Sequence, residues 1–221
     1  LLIVGPDGQP VGVEEGLLAR FQETVNAHSN MEKWFQVGAL RGDFGVADEM
    51  PGEPVLLAAR WLCHLSGLRH RTVEIFLDLP GVEEGHTLVQ VRGMDKIDGP
   101  GAFDFPCAGH AVGTETAQEA LRKELGEELN LAPEDLEDLH LVARYIHSAH
   151  TRTVSLFYNE EYRYLHRARI KPAAVPHIRF HDGEVGALAL FNYAELCALA
   201  ERFPERIASG LGDALGYYLD H

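Results

Sequence analysis

Three glutamates packed closely in sequence, Glu124, Glu127 and Glu128, are the side chains whose type and spacing could do chemistry in this chain. On a helix turning about 100° per residue they fall within one arc of roughly 100°, while Ala117, Leu121, Leu125 and Leu129 line the adjoining arc. Like charges at i, i+4 repel, so carboxylates gathered in this way need a compensating cation. Hard oxygen ligands, with coordination positions left over for phosphate oxygens, favour Mg²⁺ or Mn²⁺. A Glu-rich helix taken alone is more often a solvated acidic face. Gly109 and Glu115, phased upstream, shift the balance toward a site.

The elements that must position these carboxylates are a glycine-bearing loop and the helix it feeds. Thr116 is an N-cap that forms a capping box with Glu119, and Ala117, Gln118, Ala120 and Leu121 suit a helix beginning near Thr116. The whole stretch from Gly109 to Leu131, GHAVGTETAQEALRKELGEELNL, resembles the Nudix box, G-x5-E-x7-R-E-U-x-E-E-x-G-U with U a bulky aliphatic residue. Gly109, Glu115, Glu124, Leu125, Glu127, Glu128 and Leu131 match. Lys123 stands where the family has arginine and Asn130 where it has glycine. In the family the arginine pairs with the first glutamate, so a Lys123–Glu115 pair keeps the charge and loses the bidentate fork. Asn130 tolerates the left-handed conformation that ends a helix. The resemblance implies an α/β (α+β) Nudix fold, a mixed sheet sandwiched between helices. It also implies a metal, Mg²⁺ or Mn²⁺, held by Glu124, Glu127, Glu128 and the carbonyl of Gly109. The implied reaction is hydrolysis of a diphosphate linkage in a nucleoside diphosphate derivative or similar small molecule by metal-activated water, with a glutamate of the box or Glu184 as base.

The resemblance extends over roughly residues 64 to 203 and is closest to the isopentenyl-diphosphate-isomerase-like branch. The segment VQVRGMDKIDGPGAFDFPCAGH, residues 89 to 110, is similar to that branch's strand, basic loop and Pro-Gly turn. Arg92 and Lys96 match its pair of diphosphate-binding cations; read alone, an Arg and a Lys four apart are more often surface residues. The isomerases carry a cysteine immediately before the box glycine, where this chain has Ala108. Cys107, one residue earlier on a strand, points to the opposite face and reads as a packed small hydrophobe. The isomerases also carry a glutamate pair on the strand after the box helix, where Thr151 and Thr153 are expected to lie. His64, His70 and His110 resemble their histidine ligands, with the first interval one residue short; without the partner glutamates these three are placed outside the metal site. Glu184, in the loop His181-Asp182-Gly183-Glu184-Val185, is the further acid that a hydrolase of the family recruits, with Glu160 and Glu161 behind it. Two other readings stay open: an isomerase, disfavoured by Ala108, and a Nudix-fold binding module without turnover, disfavoured by the full set of box glutamates.

The 221 residues suffice for a sizeable core and are read as a single Nudix domain, and 46% hydrophobic content without an apolar run near 18 residues reads as globular rather than membrane-spanning. No basic n-region opens the chain, and Cys63, Cys107 and Cys197 lack CxxC spacing; together these predict a reducing cytoplasm, with neither a disulfide framework nor a structural zinc site. A net charge of -15 repels nucleic-acid backbones, whereas a small phosphate ester remains accessible through a bound divalent ion.

Local patterns predict a hairpin over 1–12, a helix over about 14–28, an irregular loop over 38–54 and a helix from Pro54 to Leu65. Strands are expected at Arg71–Leu79, Thr87–Arg92, Leu139–His147, Thr151–Tyr158 and Ala187–Phe191, then helices at about Tyr193–Phe203 and Glu205–Leu219. Residues 13–63 look like an insertion relative to the branch. Their large apolar residues, Leu17, Leu18, Phe21, Trp34, Phe35, Phe44 and Trp61, predict a cover over the site or a homodimer surface that sets substrate choice, the alternative being two helices that merely thicken the core.

Overall fold

The computed structural model describes residues 34–37, 56–96, 99–113, 115–150, 158–180 and 183–218. The expected hairpin over 1–12, helix over 14–28 and loop over 38–54 lie outside the described residues, as do Thr151 and Thr153 and most of the proposed insertion.

In chain order the elements are β1 (Trp34–Val37), β2 (Leu56–Ala59), α1 (Arg60–Ser66), β3 (His70–Asp78), β4 (His86–Arg92), β5 (Phe103–Asp104), β6 (Cys107–His110), α2 (Ala117–Leu129), β7 (Leu136–His150), β8 (Tyr158–Ile170), β9 (Val185–Asn192), α3 (Tyr193–Arg202) and α4 (Ser209–Tyr218). A four-stranded mixed sheet runs β6-β3-β8-β7, a three-stranded one β5-β4-β9, and β1 pairs with β2. The central pair, β3 and β8, is parallel and puts His70 opposite Glu161 and Val73 opposite Tyr164. β6 runs antiparallel to β3, with Gly109 opposite Val73.

The period of two along β3 divides its side chains between two cores. Val73, Ile75 and Leu77 join Cys107, Tyr162 and Tyr164 and meet Leu121, Leu125 and Leu129 of α2. Phe76 and Leu165 face the other way, onto Phe105, Val89 and residues of α3 and α4 including Leu196, Leu211 and Ala214. The four-stranded sheet is therefore covered on both faces, the α/β/α arrangement expected from the sequence, and each face of β3 must be apolar or internally paired.

Several expectations change. The strands do not form one sheet: β3 and β4, joined across Pro80–Gly85, belong to different sheets. The Pro54–Leu65 segment is not all helix, because Leu56–Ala59 forms a ladder with Trp34–Val37 and the helix begins only at Arg60; pairing overrides local propensity there. Of the expected strand Thr151–Tyr158 only Tyr158 lies among the described residues, and the strand described from there runs Tyr158–Ile170. Its run of charged residues hides a strand whose two faces are both largely buried. The last helix starts at Ser209, after a 3-10 turn at Pro204–Arg206.

Candidate active site

The loop and helix that carry the glutamates are held by their own ends. The Thr116 hydroxyl accepts the Glu119 N–H at 3.2 Å, and the Glu119 carboxylate accepts the Thr116 N–H at 2.8 Å. At the other end Asn130 takes the left-handed conformation, φ 56°, and the Leu131 N–H reaches back to the Leu125 carbonyl at 3.0 Å. Lys123 spans the loop that precedes the helix: its Nζ donates to Glu115 at 3.0 Å and to the His110 carbonyl at 3.1 Å, and it pairs with Glu124 at 3.1 Å. Glu115 also accepts the Val112 N–H at 2.7 Å. One ammonium thus does as a point charge what an arginine fork would do with two parallel bonds.

Two of the three glutamates turn inward. Glu124 and Glu128 are 8% and 2% exposed, unlike a solvated acidic face, while Glu127 is exposed. The reason is the i, i+4 stripe, which α2 lays against β6 while Glu127 falls to its flank. The Glu124 carboxylate occupies the space where a β-carbon on residue 109 would stand. Glu128 accepts the Ala108 N–H at 3.0 Å. Burial pushes the Glu128 carboxyl up to about 8; Lys96 opposes the shift and the Glu124 charge adds to it. Buried carboxylates converging on a glycine cradle are a hard-oxygen donor set that fits a divalent cation such as Mg²⁺ or Mn²⁺. Cys107 is fully buried beside Glu128, and burial first, then the Glu128 and Glu124 charges, push its thiol well above the usual range.

The two expected phosphate-binding cations are engaged. Arg92 pairs with Asp104, and Lys96 pairs with Glu184. The Gly93 N–H donates to the Glu184 carbonyl at 2.8 Å, fixing the loop before β9 onto the loop after β4. The Lys96 and Glu184 charges both act on Glu128, so this pair belongs to the neighbourhood of the box carboxylates.

A second cluster adjoins the first. The imidazole nitrogens of His64, His70 and His110 that could bind a metal all lie within 4.8 Å of one another. Glu161 Oε1 stands 3.8 Å from His70 Nε2 and 3.5 Å from His110 Nε2. His64 Nδ1 bonds the Tyr158 carbonyl at 3.0 Å and His70 Nδ1 the Leu68 carbonyl at 2.8 Å. A carbonyl only accepts, so in the neutral rings these bonds put the proton on Nδ1 and the lone pair on Nε2. Burial lowers the pKa of all three rings, which keeps them neutral. The sequence places these histidines outside the metal site for want of partner glutamates; Glu161, there a reserve acid behind Glu184, is 4% exposed and supplies one. Its signal is the alternation Glu161-Tyr162-Arg163, which places both charges on one face of a strand. Arg60, at the start of α1, was missed altogether; its Nε lies 3.4 Å from His64 Nε2, and its charge acts together with those of Glu184, Glu161 and Glu124.

Comparison with known proteins bears on the family and the fold. Over 81 residues the chain is 32% identical to an isopentenyl-diphosphate Delta-isomerase of Burkholderia multivorans, a stretch covering 37% of this chain and 44% of that protein. The chain thus spans less than half the length of this curated relative. Its fold resembles the crystal structure of DR0079 from Deinococcus radiodurans, with a TM-score of 0.58 and 18% identity over 83% of this chain and 98% of the other. It also resembles the MutT protein of Methanosarcina mazei Go1, with a TM-score of 0.50 and 10% identity over 69% and 96% of the two chains. The family model described as the NUDIX domain matches residues 68–210, from just before β3 into α4, and the chain belongs to that family.

Proposed function

We propose that this chain, a Nudix hydrolase by family, is a Mg²⁺-dependent pyrophosphohydrolase that cleaves a diphosphate linkage in a nucleoside diphosphate derivative or similar small molecule. The observation that carries the reading is the seating of Glu124 over Gly109 with Glu128 beside it on β6. Glu124, Glu127, Glu128 and the Gly109 carbonyl are the proposed ligands. A bound divalent ion supplies charge neutralisation on the phosphate oxygens and a more acidic water.

The chain's own residues account for the remaining requirements. Lys96 and Arg92 are the proposed binders of the substrate's phosphates, and each exchanges a carboxylate partner for a phosphate oxygen on binding. For Lys96 that exchange releases Glu184, whose side chain is 38% exposed and able to receive the proton of the attacking water. Glu128, held against β6 by the Ala108 N–H, is assigned as a ligand, and a bound cation would favour its charged form. An isomerase reading draws on the likeness to the Burkholderia protein, but Ala108 offers no thiol.

Incubation with Mg²⁺ and a panel of nucleotide sugars, dinucleotides, coenzyme A and isopentenyl diphosphate tests the proposal. Mg²⁺-dependent release of phosphate-containing products from a diphosphate compound is expected. Double-bond isomerisation of isopentenyl diphosphate with no hydrolysis of any panel member would replace this reading with the isomerase one.

A further inference from the structure

The edge of the four-stranded sheet opposite β6 carries another group of reactive side chains. There β7 lies two strands away from β6, and α4 packs across it. His147 of β7 is 1% exposed and meets two residues of α4. Its Nδ1 is 2.7 Å from Asp213 Oδ2, and its Nε2 is 3.2 Å from Ser209 Oγ. A carboxylate only accepts, so Asp213 fixes the ring proton on Nδ1 and leaves the lone pair on Nε2 to accept the Ser209 hydroxyl. That is the tautomer a general base needs, with the nucleophile bonded to the base and the base oriented by a third group. Glu161, the cross-strand partner of His147, does not compete for the ring. Arg163 takes its Oε2, and its Oε1 lies against His70 and His110.

The ring is shielded while the serine can be reached from outside, because His147 is buried and Ser209 is exposed. Ser209 opens α4, and the first N–H groups of a helix have no acceptor within it. Those of Gly210 and Leu211 follow the serine directly, the placement from which a nucleophile's own helix stabilises an oxyanion. Gly212, three residues on and so beside Ser209 on the helix surface, is exposed and puts no side chain over the hydroxyl. The Asp213 side chain is 56% exposed, and its charge disfavours an anionic substrate, so a neutral acyl carbonyl suits this place.

We propose that Ser209 is a nucleophile activated by His147 and Asp213, giving the chain a further reactive centre that cleaves small activated carboxylic esters. In the first step Ser209 Oγ bonds to the ester carbonyl carbon, and its proton passes to His147 Nε2. The ester C–O bond then breaks, the leaving alkoxide takes that proton, and the acyl group stays on Oγ. Water completes the cycle: its oxygen bonds to the acyl carbon, one of its protons returns by way of His147 to Oγ, and a carboxylic acid leaves. Water is the sole co-reactant. Asp213 touches no reacting atom and is a positioning residue.

The test uses the full chain with p-nitrophenyl acetate and, separately, a fluorophosphonate, whose phosphorus accepts Oγ as fluoride leaves. The wild type is expected to release p-nitrophenolate catalytically and to take up one fluorophosphonate per chain, mapped to Ser209 by peptide mass spectrometry. Ser209→Ala should abolish both. Asp213→Asn should slow labelling about 10- to 100-fold, short of the loss of about 10⁴-fold where the orienting carboxylate is buried. Asp213→Glu should recover part of that rate. Both positions are exposed, so circular dichroism should find the variants folded. Absence of an adduct in the wild type, adducts on lysines that persist in Ser209→Ala, or an unchanged labelling rate in folded Asp213→Asn would each overturn the proposal and leave the three residues as a tie between α4 and β7. None of these outcomes depends on whether the carboxylates of α2 hydrolyse diphosphates.

Discussion

The Glu124 carboxylate rests against the Cα of Gly109, in the volume that any larger residue would claim for its β-carbon. This contact joins the first residue of the motif to its first inward-facing glutamate, and it explains why a glycine is required where φ is not left-handed. Gly109→Ala is therefore expected to push Glu124 out of place and lower kcat by about 10²-fold, on the scale of a lost electrostatic stabiliser, while the chain still folds. Steady-state kinetics together with a thermal melt check this; a folded alanine variant with normal turnover would show that the contact is incidental.

Much of that local architecture was legible in the sequence because its partners lie a few residues apart. Thr116 and Glu119, Lys123 and Glu115, and the left-handed Asn130 are each fixed by backbone geometry within one or two helical turns. The burial of Glu124 and Glu128 was not legible, since it depends on which side of α2 meets β6. Glu161 was harder still: it reaches His70 only through the parallel register of β3 and β8, a pairing between distant segments that no local pattern specifies. The polar run of β8 also masked a strand buried on both faces, because its charges cancel internally through Arg163.

Acidity should couple stability to metal at the carboxylate centre. Glu128 has its carboxyl raised from 4.5 to about 8, with burial as the leading cause. An acid with a raised folded pKa binds its proton more tightly in the folded state, so from about 4.5 to about 8 the folded chain holds more proton than the unfolded one. Stability of the metal-free protein is thus expected to fall as pH rises through that window, and Mg²⁺ should offset the fall because a cation favours the charged form. Urea unfolding across the window, with and without Mg²⁺, measures both effects; the Glu128→Gln variant should lose this part of the slope, and a slope identical to wild type would contradict the assignment.

Cys107 should be dispensable for turnover. Its thiol is fully buried against the core that includes Val73 and Leu125, and its pKa is raised, so it is neither exposed nor activated. Cys107→Ala is expected to change kcat/KM by less than about tenfold, through packing alone. A fall of more than about 10²-fold on the hydrolysed substrate would return the thiol to the chemistry.

His147 ties α4 to the edge strand β7. Its Nδ1 lies 2.7 Å from Asp213 Oδ2 and its Nε2 3.2 Å from the Ser209 hydroxyl, so one buried ring bridges two positions a turn apart on the helix. His147→Ala should cost about 1–3 kcal/mol of stability, the net worth of two hydrogen bonds at about 0.5–1.5 kcal/mol each, with little change in kcat on the diphosphate substrate. The shift in urea midpoint gives the first quantity and steady-state kinetics the second; an unshifted midpoint would mean that α4 is held by its apolar contacts alone.

The most direct measurement of the central claim is turnover of the best diphosphate substrate as a function of Mg²⁺, in wild type and in folded Glu127→Gln and Glu128→Gln. The wild type should be inactive without the ion and saturate with it, and each variant should lose about 10²- to 10³-fold in kcat. Near-normal turnover in both variants, or wild-type hydrolysis that is indifferent to divalent ions, would contradict the assignment of chemistry to these carboxylates.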